Sequence, residues 1–296
     1  MDKKLEELKK QYNDVPIPKE LDFVVESALR QGKRKKKNRG PQWLLGTAAA
    51  AMLFTASLNI SPAMARTLSD IPVVGSVIKV LTWTEYEVAE DTYDATIKVP
   101  SIEHLENTDL ANALNEKYRS EGKALYDDFI AEVGDLKANG GGHYGIDSGY
   151  DIKTDNDQIL SIGRYIVNTV GSSSTVMHYD TIDKQNEILI TLPSLFKDDS
   201  YIQAISENIK EQMREQIAAT NEEKVYWVKG AGLPDEELME VFTTINKEQQ
   251  FYISEKGKLV ISFDKYEVAP GYMGVVEFEI PTDVLQNSLV SNKYIH

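Results

Sequence analysis

The chain has 296 residues, no cysteine and a formal net charge of −15. That length accommodates more than one domain of about 100–200 residues. The lack of cysteine excludes disulfides, thiol redox chemistry and thiolate zinc sites. The charge is divided unevenly. Residues 1–40 carry 12 basic and 7 acidic side chains (net +5), residues 41–65 carry none, and residues 66–296 hold 20 basic and 40 acidic (net −20). A basic arm and an acidic body on either side of an uncharged apolar stretch predict a chain divided between two compartments.

In the arm, Ile17 to Arg30 reads as one helix. Pro18 suits the first turn, where its missing N–H costs nothing. Glu20 and Asp22 favour the positive end of the helix dipole, and Arg30 with Lys33 the negative end. Leu21, Val24, Val25, Ala28 and Leu29 form a single apolar stripe. About 40 residues cannot bury such a stripe internally, so it needs a partner, either a protein or a membrane surface. The basic residues that favour a membrane lie after the stripe rather than along its polar face, which favours a protein.

Next come Gly32-Lys33-Arg34-Lys35-Lys36-Lys37-Asn38-Arg39 and an uncharged run from Pro41 to Ala65. About 20 apolar residues in a helix cross a hydrocarbon core, which predicts a single span over residues 41–61 with Trp43 at the interface. Short basic flanks stay in the cytoplasm, so the N-terminus is expected inside and the acidic body outside. Ala63-Met64-Ala65 behind Pro62 is an A-x-A signal-peptidase signature, with the cut between Ala65 and Arg66. A buried helix of a soluble protein and a removable signal peptide are the competing readings, and an all-round apolar helix behind a basic cluster disfavours the first. The preceding 40 residues are far longer than export requires, so the segment reads as an anchor that also carries a usable cleavage site.

The outside part predicts an α+β ectodomain with a mainly antiparallel sheet and two longer helices. Residues 62–82 form a juxtamembrane segment in which Thr67–Leu81 reads as a short helix or turn. Residues 83–156 and 157–296 follow as an N-terminal part and a C-terminal domain. Tyr93, Ala95, Ile97 and Val99 alternate as in a half-buried strand. Leu110, Leu114, Tyr118, Leu125, Phe129 and Val133 mark a long amphipathic helix that stops at Asn139-Gly140-Gly141-Gly142. A strand-rich stretch runs from about Gly145 to Leu192, with a turn at Asp183-Lys184-Gln185-Asn186. Ile202, Ile205, Ile209, Met213 and Ile217 mark the second helix. Leu259, Ile261 and Phe263, then Val276, Phe278 and Ile280, mark two further strands.

The chain offers no recognisable catalytic set, and no cofactor or metal is expected. His104, His143, His178 and His296 lie far apart without metal-ligand spacing. There is no GxSxG elbow, and Gly140-Gly141-Gly142 lacks the Lys-Ser/Thr of a phosphate loop. Asp147, Asp151, Asp155 and Asp157 do not match an EF-hand loop.

Several blocks carry a family resemblance: Asp180-x-x-Asp183, Leu195-Phe196-Lys197-Asp198, Gly257-Lys258-Leu259-Val260-Ile261, Tyr266-Glu267-Val268-Ala269-Pro270-Gly271-Tyr272-x-Gly274 and Phe278-x-Ile280-Pro281. Residues 157–281 thereby resemble the domain of unknown function shared by RsiV-type anti-sigma factors and a peptidoglycan deacetylase. The Ile17-Pro18-Lys19-Glu20-Leu21-Asp22 start, the basic cluster, the span and the A-x-A site extend the likeness to RsiV-type factors. The metal-binding deacetylase domain has no counterpart. Many relatives carry Gly-Ala-His where this chain has Gly171-Ser172-Ser173-Ser174.

The resemblance implies a relay rather than an enzyme, with no direct nucleic-acid contact. The arm, through Leu21, Val24, Val25, Ala28 and Leu29, holds an extracytoplasmic-function sigma factor. Lysozyme binds outside at Pro270 and Tyr272, and more loosely at Ser172, Ser173 and Ser174. Signal peptidase then recognises Ala63 and Ala65 and cuts before Arg66, and an intramembrane site-2-type protease cuts the remaining stub. A net charge of −20 attracts a basic protein and speeds encounter. The alternative is a membrane-tethered cell-wall-binding module or peptidoglycan-modifying enzyme, which turnover of peptidoglycan by the ectodomain would reveal.

Overall fold

The computed structural model describes residues 78–296 apart from positions 222, 235, 237 and 239. The predicted arm, span and cleavage site lie outside the described residues. Within them the fold is α+β, with a six-stranded sheet in the order β1-β2-β3-β4-β5-β6 and a three-stranded sheet in the order β7-β8-β9. The large sheet comprises β1 (Lys79–Glu90), β2 (Tyr93–Glu103), β3 (Tyr144–Asp155), β4 (Ile159–Val170), β5 (Ser172–Asp183) and β6 (Ile188–Ile190). The small sheet comprises β7 (Phe251–Ile253), β8 (Leu259–Phe263) and β9 (Val276–Ile280). All neighbours pair antiparallel except β2 and β3, which are parallel because the helix α1 (Thr108–Ala138) crosses over between them.

Helix α1 forms where the apolar spacing predicts it. Asn107 caps it by accepting from the Leu110 amide at 3.1 Å. The glycines after Asn139 stop it, since Gly140 and Gly141 adopt φ of 103° and 90°. Its buried face carries Leu110, Leu114, Tyr118, Leu125, Phe129 and Val133 against Ala95, Ile97, Val99, Ile146, Leu160, Ile162 and Ile182 of the large sheet. Asn115 docks like a strand end: it accepts from the Ile102 amide at 2.7 Å and donates to the Ile102 carbonyl at 3.0 Å. Gly122 sits so near β2 that a Cβ there would lie 2.4 Å from Val99 Cγ2. The helix therefore approaches the sheet at a distance only glycine permits.

A second core lies around α2 (Ser200–Ala219) and the small sheet. Tyr201, Ile205, Ile209, Met213 and Ile217 pack there with Leu259, Ile261, Phe263, Val276, Phe278 and Ile280. Strand β4 serves both cores by alternation: Leu160 and Ile162 join the α1 core while Ile159 joins the α2 core. The Tyr179 ring on β5 stacks on Tyr252 of β7 at 5.2 Å, and its hydroxyl donates to Glu277 at 2.9 Å and lies 3.2 Å from the Ser262 hydroxyl, so β5 is fastened to the small sheet.

One expectation meets a difference here. Lys79–Leu81, expected in a helix or turn, begin β1, where Val80 pairs with Ile102 and Leu81 with Ser101. The bare Ile/Val spacing there suits either periodicity, and pairing with β2 decides in favour of the strand. The expected division between residues 156 and 157 falls in the connection between β3 and β4 of one continuous sheet.

Candidate functional site

Of the residues singled out from the sequence, Leu21, Val24, Val25, Ala28, Leu29, Ala63, Ala65 and Arg66 lie outside the described residues. So does the span over residues 41–61. Among the described residues no helix is long and apolar enough to cross a membrane. Ser172, Ser173, Ser174, Pro270 and Tyr272 are described, and the fold brings their two segments onto one surface.

Strands β4 and β5 form a hairpin that reverses at Gly171, whose φ of 72° is the left-handed conformation such a tight reversal needs. Ser172 to Ser174 open β5 on the far side of that reversal. The connection from β8 to β9 passes beside it through residues 264–275, with Pro270 leading into the short 3₁₀ turn Gly271–Met273. Four bonds join the two segments. The Lys265 amide donates to the Thr175 carbonyl at 3.1 Å, and the Met177 amide donates to Asp264 Oδ1 at 2.8 Å. Lys265 Nζ donates to Ser173 Oγ at 2.7 Å. The Tyr266 and Ser172 hydroxyls lie 2.9 Å apart.

The resulting surface is unusually aromatic and apolar for solvent-exposed structure. Tyr272 is 67% exposed, Tyr266 44% and Val170 64%. Rigid amphipathic rings of this kind are favoured at protein contacts. The Tyr272 hydroxyl donates to the Glu223 carbonyl at 3.1 Å, which ties the exposed ring to the segment after α2. Beneath the surface, burial and the nearby Glu267 carboxylate push the Asp264 carboxyl up to about 6.

The strongest cluster of titratable groups lies elsewhere, between α1 and the large sheet. Asp180 is 3% exposed and accepts from Lys117 Nζ at 2.9 Å and Arg164 Nε at 3.3 Å. Arg164 donates through Nη1 to Glu121 at 2.5 Å and lies over the Tyr118 ring at 4.5 Å. Despite the cost of burial, the two cations hold the Asp180 carboxyl far below the usual range. Burial and the Arg164 guanidinium bring His178 down to about 4. Opposite charges here neutralise one another and leave no poised acid, base or nucleophile. The cluster fastens the helix to the sheet. Asp183, fully buried, plays the same part toward the last residues, accepting from Lys293 and Tyr294, each at 2.6 Å. No group of three or more His, Asp or Glu arranged to hold a metal occurs among the described residues.

Sequence reasoning named both segments, missed Lys265 and met Tyr266 only as part of a family block, so the pair that joins them went unassigned. Asp180 and Asp183 stood out only as part of a family block, and nothing local marked Lys117, Glu121 and Arg164 as their partners or neighbours.

A family model described as a protein of unknown function, DUF3298, matches residues 193–283. The chain is 49% identical over 296 residues, all of both sequences, to the anti-sigma-V factor RsiV of Bacillus subtilis (strain 168). A solved DUF3298 protein from Pseudomonas aeruginosa PAO1 superposes with a TM-score of 0.51 at 12% identity, over 77% of this chain and 99% of its own. A second, from Bacteroides fragilis, gives a TM-score of 0.47 at 16% identity, over 74% and 96%. The Pseudomonas likeness shows a shared fold.

Proposed function

Because the chain belongs to the RsiV family of anti-sigma factors, we propose that it is a membrane-anchored receptor that releases its sigma factor when lysozyme binds outside. Residues 1–40 hold an extracytoplasmic-function sigma factor through the stripe of Leu21, Val24, Val25, Ala28 and Leu29. Residues 41–61 cross the membrane once, with the N-terminus in the cytoplasm. Residues 62–82 carry the signal-peptidase site at Ala63, Ala65 and Arg66, residues 83–156 form the N-terminal part of the ectodomain, and the C-terminal domain over residues 157–296 senses the ligand. Signal peptidase makes the first cut and an intramembrane site-2-type protease the second.

The observation that supports this reading best is the convergence of Ser172–Ser174 with Pro270 and Tyr272. These segments, about a hundred residues apart in sequence, share one exposed aromatic surface on a part of the chain with a net charge of −20. Complementary charge speeds encounter with a basic protein, and exposed rings supply the contact. Lysozyme added to cells carrying an N-terminally tagged protein is expected to abolish the full-length band. Persistence of that band beside bound lysozyme would remove the proteolytic step. Absence of binding would remove the ligand. Replacing Ala65 with Trp is expected to block the first cut, and unchanged cleavage at that bond would refute the site.

A further inference from the structure

We infer that Tyr266 is the positioning residue of this surface: its side chain locks Ser172–Ser174 to Pro270–Tyr272 before any partner arrives. The inference deepens the receptor reading and rests on it for the identity of the partner, a basic protein.

The backbone argues first. Tyr266 has φ of 75°, a conformation disfavoured for any residue with a Cβ and normally left to glycine or asparagine. Such strain persists only where the surrounding structure over-determines it. A glycine would relieve it but lack the ring, so the contacts of the ring are what hold the residue there.

The ring explains its neighbour. A Cβ on Gly271 would lie 2.2 Å from Tyr266 Cε1 and Cζ and 2.4 Å from its hydroxyl oxygen. Gly271 is absent from the positive-φ glycines, so it is needed for close approach rather than for backbone freedom. The tyrosine ring therefore packs directly on the backbone that begins the Gly271–Met273 turn and sets the position of Tyr272. The same side chain reaches the other segment through the 2.9 Å contact with Ser172 Oγ. Its sequence neighbour adds a second link, since Lys265 Nζ lies 5.2 Å from the Tyr266 ring centroid and 2.7 Å from Ser173 Oγ. One dipeptide thus touches both halves of the surface. A surface assembled in advance does not spend binding free energy on ordering itself.

Tyr266→Gly in the full-length chain in detergent micelles tests this, because it removes the ring and relieves the backbone at once. The inference expects an unchanged melting temperature. It expects amide-exchange protection at both Lys265 and Met177, whose N–H groups cross between the segments, to fall on the order of tenfold. It also expects affinity for hen egg-white lysozyme to fall roughly tenfold. Tyr266→Phe keeps the ring on Gly271 and loses only the hydroxyl contact, so it should fall between wild type and Tyr266→Gly. The inference is overturned if protection falls in residues 264–275 alone, if it falls throughout the protein with the melting temperature, or if affinity survives the loosening. The exchange arm needs no ligand. A wild-type protein that ignores lysozyme would end the receptor assignment, while joint loss of protection at Lys265 and Met177 would still support the lock.

Discussion

Two of the fastenings of strand β5 work by opposite means. Its opening residues are tied to the 264–275 connection by polar contacts between exposed side chains, Ser172 to Tyr266, and half-buried ones, Ser173 to Lys265. Further along, the buried Asp180 carboxylate is tied to α1 by the half-buried Lys117 and to β4 by the buried Arg164. An exposed hydrogen bond competes with water at each end and contributes little. A buried carboxylate between two cations contributes little net of desolvation, yet removing one partner strands the other. The first arrangement fixes geometry at low energetic stakes, which suits a contact surface. The second is costly to disturb, which suits the joint between helix and sheet.

The largest effect should therefore follow from breaking the buried side. Asp180→Ala leaves Lys117 and Arg164 facing each other without their shared anion, and is expected to destabilise folding by about 3–5 kcal/mol. Urea unfolding would measure it. A loss under about 1 kcal/mol would mean that the site is far wetter than its 3% exposure implies. Next comes Gly122→Ala, which drives a methyl into Val99 at the same interface. Overpacking of this kind costs roughly 1–3 kcal/mol. A paired Val99→Ala change should recover part of that cost, and no recovery would show that α1 shifts as a body instead.

The pH dependence separates the two regions by sign. Asp264, beneath the exposed surface, has a folded pKa raised to about 6. The folded state then holds the proton more tightly than the unfolded chain, so its contribution is complete below about 4 and is lost as pH rises through about 6. His178, beside the buried cluster, is lowered to about 4. Its contribution is complete above about 6.5 and is lost as pH falls through about 4. Between these limits the two oppose each other. Asp264→Asn should leave stability rising with pH over the window, and His178→Gln should leave it falling. The reverse pattern in denaturant melts would exchange the two assignments.

How far the sequence discloses these regions depends on the range of the forces involved. Helices α1 and α2 are legible because Leu110 to Val133 and Ile202 to Ile217 repeat at helical spacing, and nearly all of these side chains are buried. Strands β2, β8 and β9 are legible by alternation. β1 is less so. Its start adjoins an Ile/Val-rich run that suits either period, and its register shifts between Thr82 and Thr84, which blurs the alternation. In the candidate surface, Ser172–Ser174 and Pro270–Tyr272 were reached through resemblance rather than through any local rule. Tyr266 stands in a family block, but its role is not legible, because reading turns from sequence places glycine or asparagine, not tyrosine, where φ is positive. The charge cluster was hidden for another reason. Lys117 and Glu121 at i and i+4 look like an ordinary solvated helix face, and only packing brings Arg164 and Asp180 from two neighbouring strands beneath them.

The smallest effect sharpens the contrast most. Ser172→Ala removes a hydroxyl from an exposed contact with Tyr266 and leaves no buried group unpaired. Global stability should change by less than about 0.5 kcal/mol, the range of surface substitutions that touch no special feature. If geometry rather than energy is what this contact supplies, exchange at the Lys265 and Met177 amides should still quicken, because the loop loses one of the ties that hold it against β5. A stability loss approaching that of Asp180→Ala would mean that the surface is held as the buried joint is held, and the distinction between the two ends of β5 would collapse.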